Sequence, residues 1–207
     1  MLRSILDKIF NGILAGVLIS IGGTVYLSVG SYPGAILFSV ALLCICYKGY
    51  SLFTGKIGYV TMSRTKEDIS VLLLGLFGNL IGTFLFGVLI SYATSGIGEK
   101  AYVICLPKLE LNSLAVLVKS FLCGVLMYLA VSIFKENNKS IVGIVFCIPV
   151  FILCGFEHSI ADMFYFACSG IVSFEAFIFI ILVIIGNSLG SIFFSGLRLL
   201  TEKKKDE

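Results

Sequence analysis

The chain has 207 residues, of which 58% are hydrophobic and 13% charged, with a formal net charge of +3 and a mean hydropathy of +1.08. A water-facing domain carries about 25% charged residues, so this composition excludes a soluble globular domain, a disordered chain, a secreted disulfide scaffold and a nucleic-acid-binding domain. It points to an integral membrane protein, and the lack of ten-residue alternating segments argues against a β-barrel.

The first apolar stretch covers about residues 9–29. It is too long for the core of a signal peptide and carries Gly12, Gly16, Gly22 and Gly23, as a packed membrane helix would. The second, about 34–61, is interrupted between Tyr47 and Lys56, where Gly49, Ser51, Thr54, Gly55, Lys48 and Lys56 sit at membrane depth. The third covers about 69–93 and the fourth about 111–134. The fifth, about 141–170, is interrupted by Gly155, Glu157, His158, Ser159 and Asp162. The sixth covers about 174–199. Six spans place both termini on one side. That side collects Arg3, Lys8, Arg64, Lys66, Lys135, Lys139, Arg198 and Lys203 to Lys205, against Lys100 and Lys108 opposite. The positive-inside rule then predicts cytoplasmic termini, with the basic tail, 201–207, beside anionic lipid.

Gly78-Asn79-Leu80-Ile81-Gly82 in the third stretch and Gly186-Asn187-Ser188-Leu189-Gly190 in the sixth lie 108 positions apart. The same offset carries Gly16 onto Gly124 and the interrupted second stretch onto the interrupted fifth. Three spans per half means the second half enters the membrane inverted, a pattern of channels and transporters. The expected fold is an all-α integral membrane protein of six transmembrane helices, in one transmembrane domain over 1–207. It is built of two inverted three-helix repeats, about 1–98 and about 108–200, with broken second and fifth helices.

Irregular backbone at membrane depth belongs inside the protein or beside water, so the two interruptions are expected to meet and form a filter. His158 can donate a hydrogen bond or take a proton, and either suits a small dehydrated anion; the alternative is a histidine that ties loop backbone together. The Thr54 hydroxyl can donate to an anion or bond its own backbone. A carboxylate facing the path would repel anions, so Glu157 is expected to point away and support the loop. Asp162 is expected to cap the following half-helix or reach a subunit contact, and Lys48 and Lys56 to pair with Glu157 or Asp162. Lys119 is read as a snorkelling lysine. Lys108 either concentrates anions in a vestibule or is a solvated loop charge. Phe38, Leu42, Leu52, Phe53 and Phe151 are either core or constrictions that gate by dewetting. The seven cysteines lie mostly in apolar runs without a C-x-x-C pair, and there is one histidine. They read as packing residues, so no metal and no cofactor is expected.

Several segments together resemble the formate/nitrite transporter family. They are Ala15-Gly16 with Ile19 to Gly23, Leu52-Phe53-Thr54-Gly55, Phe77 to Gly82, Leu129-Ala130-Val131, Gly155-Phe156-Glu157-His158-Ser159-Ile160-Ala161-Asp162-Met163-Phe164, and Gly186-Asn187. The resemblance implies an aquaporin-like fold, a homopentamer with one pore per subunit, and His158 and Thr54 at a central anion site. It implies an anion-attracting Lys108, loop support from Glu157, Asn79 and Asn187, and constrictions at Phe38, Leu42, Leu52, Phe53, Met127 and Phe151. Gly124 departs from the family's usual Asn, which implies a lost pore-lining hydrogen bond. Asp162 stands where Asn is frequent and Ser191 where a further Gly is common. Within the family the chain looks most like the hydrosulfide-channel branch. The implied function is a channel for small monovalent anions in a bacterial inner membrane. Hydrosulfide is the first permeant, with formate, nitrite and chloride as further ones, and a proton-coupled formate/nitrite-type transporter is the alternative. A neutral-solute channel of aquaporin type would need paired N-P-A loops, which the chain lacks. An enzyme would need a nucleophile facing its base, and Ser159 is adjacent in sequence to His158.

Overall fold

The structure, a computed structural model, describes residues 2–63 and 65–203. Arg64, Lys204 and Lys205 of the expected basic side lie outside the described residues, as does the Lys203 side chain. The described residues form nine α-helices and one 3-10 helix. These are α1 Leu2–Val29, α2 Ser31–Lys48, α3 Phe53–Lys56, the 3-10 helix Ile57–Thr61, α4 Lys66–Ala93, α5 Ile97–Leu109, α6 Ser113–Glu136, α7 Val142–Leu153, α8 Ser159–Ser169 and α9 Phe174–Lys203. Five of them (α1, α2, α4, α6 and α9) are long and apolar enough to cross a membrane. A helix of 28 residues, such as α1 or α4, is roughly 42 Å long, more than the roughly 30 Å of hydrocarbon. The chain is a multi-pass membrane protein.

The six apolar stretches thus resolve into eight of the α-helices and the 3-10 helix. The second stretch divides into α2, α3 and the 3-10 helix, and the fifth into α7 and α8. Gly49 ends α2 in the left-handed conformation, with φ 74°, and its N–H donates to the Ile45 carbonyl. That region favours glycine, so the chain can leave the helix there without strain. The helix α5 has no counterpart in the sequence reading. Its 13 residues mix Glu99, Lys100 and Lys108 with apolar side chains, too short and too polar to register as a span. Lys108 is therefore helical, not a loop residue. Side-chain caps start the long helices after the loops: Thr65 Oγ1 accepts from Asp68 N–H at 3.1 Å, and Asn112 Oδ1 from Ala115 N–H at 2.9 Å.

Two helix pairs, α1 with α4 and α6 with α9, form the packing frame. The contacts in one pair correspond to those in the other at an offset of 108 positions. A side chain at Gly78 would run into the Ile9 carbonyl and Gly12, and one at Gly82 into Ile13 and Gly16. One at Gly186 would meet Ser120 and one at Gly190 Phe121. Gly16 meets Asn79 in the same way, and Gly124 meets Asn187. Small residues let the backbones come this close, which is how helices associate where lipid supplies no hydrophobic drive. A hydroxyl joins the second crossing, where Ser191 Oγ donates to the Gly124 carbonyl at 2.8 Å, while its counterpart Thr83 Oγ1 bonds within α4, to the Asn79 carbonyl at 2.9 Å. Gly124 therefore belongs to a helix crossing with no room for an Asn side chain, which corrects the expectation of a pore-lining position there.

Candidate functional site

The two chain breaks, 49–52 between α2 and α3 and 154–158 between α7 and α8, leave backbone groups without helical partners deep in the protein. Two asparagines take them up. Asn79 of α4 is 0% exposed; its Nδ2 donates to the carbonyls of Gly12 and Ser51, both at 2.8 Å, and its Oδ1 accepts from Phe53 N–H at 3.0 Å. Asn187 of α9 is likewise 0% exposed; its Nδ2 donates to the carbonyls of Ser120 and Glu157, both at 2.8 Å, and its Oδ1 accepts from Ser159 N–H at 2.9 Å. Each amide uses both donors and its acceptor, the satisfaction that buried polar groups require. The helix contacts match at an offset of 108, but the loop contacts match at 106: Ser51 pairs with Glu157, and Phe53 with Ser159. The second half carries two more residues between its loop and its asparagine, which a single offset in the sequence conceals.

The clamps place Leu52 and His158 immediately before α3 and α8. His158 is the N-cap of α8: its Nδ1 accepts from Ala161 N–H at 3.1 Å. Its Nε2 lies 2.8 Å from Thr54 Oγ1. Both side chains are buried, at 3% and 1% exposure. Because Nδ1 accepts, the neutral ring carries its hydrogen on Nε2, which then donates to Thr54 Oγ1. The Thr54 hydroxyl hydrogen is left to point at a third group. A doubly protonated imidazole would offer no acceptor to Ala161, so the network assigns the neutral form. The α8 N-terminus adds partial positive charge at the same place.

Apolar rings close around the pair. Phe151 stacks on His158, with centroids 5.5 Å apart and planes at 15°, and meets Phe38 edge-on at 6.4 Å. Two cavities adjoin the pair: His158 lines one, and Leu52 and Gly55, which bracket Phe53 and Thr54 in sequence, line the other. One of about 150 Å³ is lined by Phe38, Phe151, His158, Ala161, Asp162 and Lys108, together with Tyr26 and Tyr165. The other, about 160 Å³, is lined by Leu42, Leu52, Gly55, Val131, Lys56 and Lys135, among others. Phe38 and Leu42 are one turn apart on α2, a rise of about 6 Å. The helix therefore passes from one cavity to the other beside the histidine. Phe53 and Met127 are buried but are not among the lining residues of either cavity. Of the six expected constriction residues, Phe38, Leu42, Leu52 and Phe151 line these cavities and Phe53 and Met127 do not.

Lys108 forms ion pairs with Glu157 and with Asp162, the latter at 3.0 Å. Glu157 and Asp162 are 3% and 2% exposed. This corrects three expectations. Lys108 is a paired cation. Asp162 holds Lys108, while the cap of α8 is His158. Lys48 and Lys56 bind neither carboxylate: Lys56 Nζ donates to Ser51 Oγ at 3.2 Å, and Lys48 is exposed at the end of α2. Lys119 reaches the loop beside Gly155. Sequence reasoning missed Tyr26, Ile104 and Tyr165 on the first cavity and Lys135 on the second. They come from elements outside the two interruptions, and no local pattern marks them.

Comparison with known proteins gives the same picture. The family described as formate/nitrite transporter matches residues 1–201. The chain is 33% identical over 190 residues to the uncharacterized transporter YwcJ of Bacillus subtilis (strain 168), covering 78% of this chain and 72% of that one. Among solved structures, a chain titled "FNT family ion channel" superposes with a TM-score of 0.85 at 23% identity, over 95% of this chain and 90% of the other. A "Pentameric formate channel with formate bound" superposes with a TM-score of 0.75, also at 23% identity, over 97% and 96% of the two chains.

Proposed function

This chain belongs to the formate/nitrite transporter family, and on that premise we propose that it is a channel for small monovalent anions, with hydrosulfide as its natural permeant and formate, nitrite and chloride as further ones. It works as a homopentamer with one path in each copy, in a bacterial inner membrane, with both termini in the cytoplasm. Each copy crosses six times as two inverted repeats, about 1–98 and about 108–200. The second crossing is broken between α2 and α3, and the fifth between α7 and α8. The matched asparagine clamps and the matched glycine crossings support the repeat. The solved pentameric formate channel supports the assembly and the class of permeant.

The observation that carries the reading is the buried Thr54–His158 hydrogen bond, which two cavities adjoin. An anion passing Phe38 and Phe151, or Leu42 and Leu52, loses water. The Thr54 hydroxyl and the end of α8 offer donors where that loss is greatest. Lys108 serves anion entry by cancelling Glu157 and Asp162, so that the anion does not face bare carboxylates. To lend a proton His158 must first become imidazolium, and protonating Nδ1 breaks its bond to Ala161, so the channel reading is preferred to the proton-coupled one.

The test is flux into proteoliposomes of the purified protein, with hydrosulfide, formate, nitrite, chloride and potassium compared. Selective, saturable anion flux with hydrosulfide fastest and no potassium leak is the expected result. Absence of anion flux, or potassium flux of equal size, overturns the reading.

A further inference from the structure

The cavity away from Lys108 holds two cations that the path described above does not use. Building on that path, we propose that Lys56 and Lys135 form a second station for a small free monovalent anion, in the cavity of about 160 Å³ bounded by Leu42, Leu52 and Gly55. Both lysines line this cavity, and no carboxylate does. Lys56 Nζ donates to Ser51 Oγ at 3.2 Å, and Lys135 Nζ lies 3.7 Å from the centre of the Tyr59 ring. Neither makes an ion pair among the described residues.

The nearby carboxylates are engaged elsewhere. Asp68, which borders a neighbouring cavity with both lysines, accepts from Ser63 and Thr65. Glu136 is bound by Arg198 at 2.5 Å. The repeat shows how the two loops diverge. At the loop offset of 106, Ser51 and Lys56 stand where the other loop has Glu157 and Asp162. One loop gathers two carboxylates around Lys108, while the other offers an ammonium and a hydroxyl. Two cations in a narrow, apolar-walled cavity that no carboxylate lines, and neither of them ion-paired among the described residues, raise the local concentration of anions there. Gly55, next in sequence to Thr54, lines the same cavity, so an anion held there waits one step from the central hydroxyl.

A lipid phosphate would satisfy the same lysines, and the test separates the two sources. In planar bilayers of purely zwitterionic lipid, formate current is measured against concentration on each side in turn. Replacing both lysines, Lys56→Gln with Lys135→Gln, is expected to raise the half-saturating concentration about tenfold on the side bearing Lys135, with little change on the other. Crystals of the full chain grown with bromide should give anomalous density between the two ammonium groups, lost in the double variant. Conduction with unchanged saturation on both sides overturns the station, as does a dependence on these lysines seen only with anionic lipid present. If the wild-type protein conducts no anion, the proposed function falls; the bromide density then still decides the station, and its absence overturns it.

Discussion

The imidazole of His158 has two structural duties, capping α8 through Nδ1 and orienting Thr54 through Nε2. Removing it should therefore show in two readouts. His158→Ala loses a helix cap, worth about 1 kcal/mol, and leaves the Thr54 hydroxyl unoriented. A lowered unfolding midpoint with altered anion selectivity is the expected pair of results. Thr54→Val, which keeps the volume, should cut anion flux with little change in the midpoint. If both variants keep wild-type flux and selectivity, the central role of the pair is wrong. Lys108 makes a different prediction. Lys108→Met strands Glu157 and Asp162 without their cation, a loss of about 3–5 kcal/mol for a buried pair broken on one side. Combining it with Glu157→Gln and Asp162→Asn should restore most of the midpoint, because the three side chains act as one unit. A triple variant as unstable as the single one would show that Lys108 acts apart from the carboxylates.

At the scale of elements, the asparagines bear the greatest demands. Asn187→Ala removes the partners of the buried Glu157 carbonyl and Ser159 N–H and the side-chain bond to the Ser120 carbonyl. Each such group costs about 1–3 kcal/mol, so little folded protein should survive solubilisation, whereas Ser188→Ala, a neighbour that bonds only its own helix, should be tolerated. Size-exclusion profiles of the two variants check this. These elements also mark how far the sequence could be read. Chain positions of the long helices followed from hydropathy, and the paired G-N-x-x-G motifs located both clamps and both crossings. His158 and Thr54 were singled out because polar residues interrupt apolar runs, a local signal. The Lys108 triad was not legible, because its cation comes from α5, a helix too short and too mixed to stand out. Nor was the two-residue shift between the loops, since one offset fits Gly16, Gly78 and Gly82 with Gly124, Gly186 and Gly190. Contacts made across long separations carry no local pattern: the bond between Thr54 and His158 spans 104 positions.

As a whole, the molecule turns large apolar side chains outward, from Leu73, Phe77 and Leu80 on α4 to Phe177 and Ile181 on α9. These five line an apolar groove of about 430 Å³ between α4 and α9. In a bilayer that surface is suited to lipid tails and to other copies, and it needs no burial within one chain. Native mass spectrometry of the detergent-solubilised protein should find five copies together. A stable monomer that still conducts would separate the path from the assembly, and would leave each chain sufficient by itself.

The order in which these parts emerge during synthesis carries one more consequence. The loop that presents His158 is fastened by Asn187, which lies on α9, made after that loop. A nascent chain that has inserted everything up to α8 still lacks that fastening, and the N–H of Ser159 and the carbonyl of Glu157 wait for it. The first loop is secured much sooner, when α4 delivers Asn79. The loop that presents His158 therefore stays unfastened until α9 has been made, and a chain stalled before α9 holds that loop unfinished.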